Sequence, residues 1–246
     1  MLFCQCKDWA NKGFDVNTHE CPLSSPLFFR KGFEVESIVM IDGGFLVKKY
    51  KTATRKHLEA EDVKKIANNI LATYSLDGES HRIYYYDCPP NSEETLYPIS
   101  KTKYSFGSTT AFKKRTEFIN ALKKEDFFSV REGVLAFKGW VLKDSCFDKR
   151  SGQVIPSALT DDCFKPNLQQ KGVDTKIGLD IAWASYEKIA KNILLVTGDS
   201  DFVPAMKTAR RNGVFVYLFT MNHGVRQDIL LNADVLNEQA ITNFLT

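Results

Sequence analysis

Residues 193–213 carry a short apolar run, a turn rich in carboxylates and an amphipathic segment, and a second apolar run follows at once. Ile193 to Val196 is too short for a helix and reads as a buried strand. Thr197-Gly198-Asp199-Ser200-Asp201 interrupts it with turn formers. Ser200 or Asp201 can cap a helix with Pro204 in its first turn, where a missing N–H leaves nothing unsatisfied. Val203, Met206 and then Ala209 or Arg210 recur at helical spacing, and Asn212-Gly213 stops the helix. Val214 to Phe219 is the second strand. Two strands joined through a helix pair in parallel and are buried on both faces, which points to an α/β sheet. In open sheets of that kind, ligands bind beyond the carboxyl ends of the strands. Asp199 and Asp201 lie at such an end.

The rest of the chain repeats the pattern. Ser37 to Asp42 is an apolar strand ending on a carboxylate, and Gly43-Gly44 then permit a tight turn. Glu61 to Tyr74 is an amphipathic helix with Val63, Ile66, Ala67, Ile70 and Leu71 on one stripe. Arg82 to Asp87 is a strand closed by Cys88-Pro89-Pro90-Asn91, which completes a right-handed crossover. The alternation then stops over roughly residues 91–168, which read as an insertion. Within it, Thr109 to Glu125 reads as a helix, and Val130 to Lys143 as a hairpin broken at Gly133 or Lys138-Gly139. Gln169 to Asp174 leads into a helix ending near Ala190, with Asp174 close to its start. A final helix begins near Val225. The expected fold is a three-layer α/β/α domain over residues 37–246, with a mainly parallel central sheet.

Net charge is only +3 over 246 residues, so any basic surface must be local. Between Lys101 and Arg150, twelve Lys and Arg face six Asp and Glu. Lys113, Lys114, Arg115, Lys123 and Lys124 interleave with Phe112, Phe118 and Phe127. That composition suits a wall for single-stranded nucleic acid, and equally a solvated insertion. No apolar run approaches the ~20 residues that span a membrane. The first residues lack the layout of a signal peptide, so a cytoplasmic protein is expected. Residues 1–36 read as a separate N-terminal arm. Cys4, Cys6, His19 and Cys21 there are zinc-type ligands, but structural zinc sites space paired ligands by two to four residues and here one intervenes. The other reading is a peripheral arm whose Phe residues dock on the domain.

Asp42, Asp174, Asp199 and Asp201 all fall at strand ends or helix starts, and Asp87 also ends a strand. Carboxylates brought together at one sheet edge repel one another unless a cation sits among them. Oxygen ligands of this kind suit Mg²⁺ or Mn²⁺. Such an ion activates water and stabilises charge during phosphodiester hydrolysis.

Ile41-Asp42-Gly43-Gly44, Tyr85-Tyr86-Asp87-Cys88-Pro89-Pro90, Gln170-Lys171-Gly172-Val173-Asp174 and Thr197-Gly198-Asp199-Ser200-Asp201-Phe202 together resemble the NYN domain, LabA-like branch, of the PIN-like nuclease superfamily. The resemblance spans about residues 37–235. It implies a PIN-like Rossmannoid fold and metal-dependent cleavage of RNA. Carried over by position, the catalytic and metal-binding carboxylates are Asp42, Asp174, Asp199 and Asp201, with Mg²⁺ or Mn²⁺ as cofactor. Gly43, Lys171, Thr197 and Ser200 are then expected beside the substrate, with Lys113, Lys114 and Arg115 further along the strand. Asp180 matches a commonly acidic position and is not taken as a ligand. Many relatives carry Asn where this chain has Phe45.

The leading expectation is an Mg²⁺- or Mn²⁺-dependent endoribonuclease acting on single-stranded or loop RNA. The alternative is a nucleic-acid-binding regulatory module with weak or no turnover. An aspartyl phosphatase wants Asp-x-Asp after the first strand, and Gly43-Gly44 stand there instead. No P-loop is present. His19, His57, His81 and His223 share no spacing, and His223 beside Gly224 reads as a loop or cap residue.

Overall fold

The computed structural model describes residues 35–146, 154 and 159–246. The Cys4, Cys6, His19 and Cys21 group lies outside them. The chain begins with β1 (Val35–Asp42), α1 (Gly43–Thr54), α2 (Ala60–Ala72) and β2 (His81–Asp87). The short strands β3 (Glu94–Leu96) and β4 (Lys103–Ser105) precede α3 (Thr110–Leu122) and β5 (Phe128–Glu132). Then come β6 (Val134–Leu142), β7 (Phe164–Lys171), α4 (Val173–Tyr186) and β8 (Ala190–Val196). The last elements are α5 (Val203–Arg211), β9 (Phe215–Phe219), α6 (Gln227–Leu230) and β10 (Val235–Asn237).

Six strands form the central sheet in the order β10-β9-β8-β1-β2-β5. Every neighbouring pair is parallel. Along β1, Ile38 and Met40 pack with α4 and α5, while Val39 and Ile41 pack with α1, α2 and α3. The strand is therefore buried on both faces, and this is why it reads as an unbroken apolar run. Three layers result, with a core on each side of the sheet.

Four local expectations are corrected. Gly43-Gly44 is not a free turn but the first turn of α1, an unforeseen helix. Asp42 caps it by accepting the Phe45 N–H at 3.0 Å. Residues Val130 to Lys143 are not one hairpin. β5 joins the central sheet beside β2, and β6 pairs antiparallel with β7 instead. Gly133 marks the point where the chain leaves the sheet rather than a hairpin turn. The stretch read as an insertion thus supplies both a central strand and α3, whose Phe118, Ile119 and Leu122 enter the core. Beyond α6, β10 extends the sheet at its far edge, where no further strand was expected. Finally, Asp199, not Ser200 or Asp201, is the cap after β8. Its carboxylate accepts the Asp201 N–H at 2.9 Å over a 3₁₀ turn that leads into α5.

Candidate active site

From β1 the chain winds outward through β2 to β5, and from β8 it winds the other way through β9 to β10. The reversal lies between β1 and β8. At such a switch point the loops diverge and leave a crevice beyond the carboxyl ends of the strands. Asp42 ends β1, and Asp199 follows β8 by three residues. Asp174 sits in the first turn of α4.

A cavity of about 570 Å³ opens there, lined by Asp42, Asp174, Asp199 and Ser200 together with Phe45, Lys48, Lys49, Gln170, His223 and Arg226. Asp42 is partly buried and held from two sides. Its Oδ1 accepts from Phe45 N, and the Thr197 hydroxyl donates to its Oδ2 at 3.3 Å. Burial raises its carboxyl above the usual carboxylate range, the Phe45 N–H and the Thr197 hydroxyl oppose this, and the charges of Asp174 and Asp199 raise it further. Asp174 is also raised, by desolvation first and then by the charges of Asp199 and Asp201. The four predicted carboxylates are therefore brought into one electrostatic neighbourhood. Asp201 stands at its exposed side, in the adjoining groove between α4 and α5 that Asp174 also lines.

The other expected contacts divide. Ser200 lines the cavity. Thr197 is fully buried and acts through Asp42 and the Asp199 N–H, which donates to its hydroxyl at 3.2 Å. Gly43 is buried, and a Cβ there would come 2.7 Å from the Tyr85 ring and the Tyr86 carbonyl oxygen, so the site admits no side chain. Lys171 is exposed at the end of β7, and the ammonium of Lys138 lowers its pKa. Lys113 and Lys114 are exposed on α3. Arg115 does not join them: its guanidinium pairs with the buried carboxylate of Asp87 and lies 4.7 Å from the Phe118 ring centroid. Asp180 likewise serves the fold, accepting from the Tyr86 hydroxyl at 2.9 Å and pairing with Arg131 at 3.0 Å.

Sequence reasoning missed His223, Lys48, Lys49, Arg226 and the role of Gln170. His223 had a usable signal, since it follows the carboxyl end of β9 just as Asp199 follows that of β8. Gln170 reaches from the cavity toward Asp87 Oδ1, at 3.4 Å.

The raised acids make a pH prediction for the metal-free protein. A folded-state pKa above the unfolded one means that the folded state holds more protons. Its stabilising contribution is full below the unfolded value, about 4, and is lost as pH rises through the folded one. Melting in chelator should thus show stability falling over that window. Asp42→Asn keeps the oxygen that caps α1, removes the charge, and should raise metal-free stability at pH 7 by roughly 0.5–1 kcal/mol. A variant that melts below wild type at pH 7 would show that no such repulsion exists.

Residues 151–236 match the NYN domain model, and NYN is a PIN-like nuclease family whose members are generally hydrolases. The match spans Asp174, Asp199 and Asp201, and it does not separate the LabA-like branch from the rest. Among solved structures, a protein of unknown function from Vibrio parahaemolyticus is similar over 85% of this chain and 94% of its own, at 14% identity and a TM-score of 0.45. No protein of curated function matches the sequence. Among the described residues, no helix is long and apolar enough to cross a membrane.

Proposed function

We propose that this chain is a cytoplasmic, LabA-like endoribonuclease that uses Mg²⁺ or Mn²⁺ to hydrolyse phosphodiester bonds of single-stranded or loop RNA. The observation that supports it most is the partly buried Asp42, raised by burial and by the charges of Asp174 and Asp199 at the switch point. Like charges gathered in this way call for a cation. Among the described residues, no three His, Cys, Asp or Glu side chains stand close enough to hold one ion directly. The oxygen-only donor set therefore fits an ion that keeps several of its waters and takes one or two carboxylates, as Mg²⁺ prefers.

Asp42 with Asp174 or Asp199 would hold the ion directly, and the remaining carboxylates, Asp201 from the groove side, would reach it through its waters. The bound ion would supply charge stabilisation and a water activated at neutral pH. The chain's own residues do the positioning. The Phe45 N–H and the Thr197 hydroxyl fix the Asp42 carboxylate, and the Asp201 N–H fixes that of Asp199. Lys48, Lys49 and Arg226 set positive charge on the cavity wall, where a phosphate backbone can approach. Water adds to phosphorus, the P–O bond to the leaving nucleotide breaks, and no residue is covalently modified.

Purified protein should cleave labelled single-stranded RNA with Mg²⁺ or Mn²⁺ and stop on chelation. Binding of that RNA without any metal-dependent cleavage would favour the other reading, a regulatory RNA-binding module. The absence of a tight three-ligand group is the observation on its side.

Lys113 and Lys114 extend the interface. The contact of Arg115 with Asp87, at the carboxyl end of β2, sets this first half of α3 at the same sheet edge as the cavity. Lys113→Glu with Lys114→Glu should weaken binding of every RNA sequence. Each lost phosphate contact should flatten the salt dependence by ~0.7 in log–log slope. A slope equal to that of wild type would place the strand elsewhere.

A further inference from the structure

Phe45 follows Asp42 by three residues in the first turn of α1, and its surroundings give it a use. Its ring lines the cavity and lies 5.7 Å from that of His223, the planes inclined at 59°. Both rings press on Gly198: a Cβ there would come 2.5 Å from His223 Cδ2 and 2.8 Å from Phe45 Cε2. Gly198 directly precedes Asp199, and the Phe45 N–H holds Asp42. The aromatic corner is thus built onto the same backbone that aims two of the carboxylates.

Lys49 ties the corner together. Its ammonium lies 5.9 Å from the Phe45 centroid and donates to the Asn222 carbonyl oxygen at 3.4 Å. Met221 and Asn222 both adopt left-handed backbone, with φ of 49° and 54°, and the His223 N–H bonds back to the Thr220 carbonyl at 2.9 Å. Non-glycine residues rarely take that conformation. The turn turns His223 toward the cavity although the residue itself is solvent-exposed.

We infer that Phe45 and His223 form a stacking corner for one unpaired nucleobase, next to the phosphate that the carboxylates address, with Lys48 and Lys49 on the flanking backbone. Three features carry this. The cavity is of ligand size, about 570 Å³. Its wall combines aromatic rings with lysines, the pairing that holds single strands through base stacking and phosphate contact. The rings lie beside the carboxylates, so a base placed on them sets the register of its own phosphate. A paired base, already stacked in a duplex, cannot enter such a corner. The inference rests on the reading that this cavity takes RNA, and it makes Phe45 and His223 positioning and specificity residues rather than catalytic ones.

The test is binding in chelator, where no turnover occurs. A fluorescein-labelled eight-nucleotide single-stranded RNA is titrated against wild type, Phe45→Leu, Phe45→Trp and His223→Ala, and against the same RNA carrying one abasic position moved along its length. Stacking is felt at about tenfold per base. Phe45→Leu and His223→Ala should each weaken binding about tenfold, while Phe45→Trp restores it. One abasic position should weaken wild type to the same extent and remove the effect of Phe45→Leu. Wild-type affinity in both Phe45→Leu and His223→Ala overturns the inference, as does equal loss on intact and abasic RNA. Competition by adenosine monophosphate at micromolar concentration would assign the corner to a free nucleotide and overturn it too. Should Phe45→Leu melt too low to assay, His223→Ala on its exposed loop carries the same test. Base-dependent binding without cleavage in Mn²⁺ would sink the nuclease reading and leave this one standing. Cleavage with base-independent binding would do the reverse.

Discussion

Asp42→Asn should leave the protein folded and lower metal-dependent RNA cleavage on the order of 10²-fold, the scale at which losing one fixed electrostatic contact to a transition state is felt. Two features make this substitution informative. The amide oxygen of Asn can still accept from the Phe45 N–H, so the cap of α1 survives. The Thr197 hydroxyl, which also accepts from the Asp199 N–H, has a second lone pair with which it can accept from the new amide. What is removed is one formal charge beside Asp174 and Asp199. The assay is initial-rate cleavage of labelled single-stranded RNA across a Mn²⁺ titration, with wild type and variant purified in parallel and melting curves as the folding control. The variant should need more metal and still reach a lower rate. Equal rates, once contaminating nuclease is removed, would take Asp42 out of the catalytic site.

Arg115→Ala should destabilise the protein by about 3 kcal/mol, near the lower end of the ~3–5 kcal/mol that breaking a buried ion pair costs. Asp87 is only 1% exposed, and its carboxylate pairs with the guanidinium of Arg115. Its Oδ1 is already used by the Cys88 N–H at 2.7 Å, with Gln170 Nε2 at 3.4 Å. Without Arg115 a desolvated carboxylate stays behind at the end of β2. Arg115 itself keeps 28% side-chain exposure, so water can partly replace it, which sets the lower end of the range. For a domain of this size the melting temperature should fall by ~6–12 °C. Asp87→Asn combined with Arg115→Ala should recover part of the loss, because the uncompensated charge disappears. Lys113→Ala on the same helix should change stability by no more than ~0.5 kcal/mol. A loss below ~1 kcal/mol for Arg115→Ala would show that the pair is solvated and that Arg115 is free to meet substrate after all.

Arg115 shows how far a sequence pattern reaches. As one of five basic residues interleaved with Phe, it looked like its neighbours, because charge and spacing are local properties. Only the end of β2 passing beneath α3 separates it from Lys113 and Lys114. The four aspartates were legible for the opposite reason. Each sits where an apolar run ends or a helix begins, and that junction is written in adjacent residues. The runs themselves were plain because β1 and β8 are covered on both faces, so no polar residue interrupts them.

Short edge strands carry little such signal. β5 has five residues, all partly buried, and β10 only three, so neither shows a period or a core run. Helix α1 was hidden by its own Gly43-Gly44, which suggests a turn when Asp42 is not known to cap it. Phe45 and His223 meet only because β1 and β9 lie on either side of β8 and end at the same sheet edge. Local chemistry along the chain thus determined which carboxylates are available and that they stand at strand ends and helix starts. The strand order, with its reversal between β1 and β8, determined that Asp42, Asp174 and Asp199 line one cavity, with Asp201 in the groove beside it, and what walls it. That order depends on which crossover packs on which face of the sheet, a contact between distant residues that no spacing within the chain encodes.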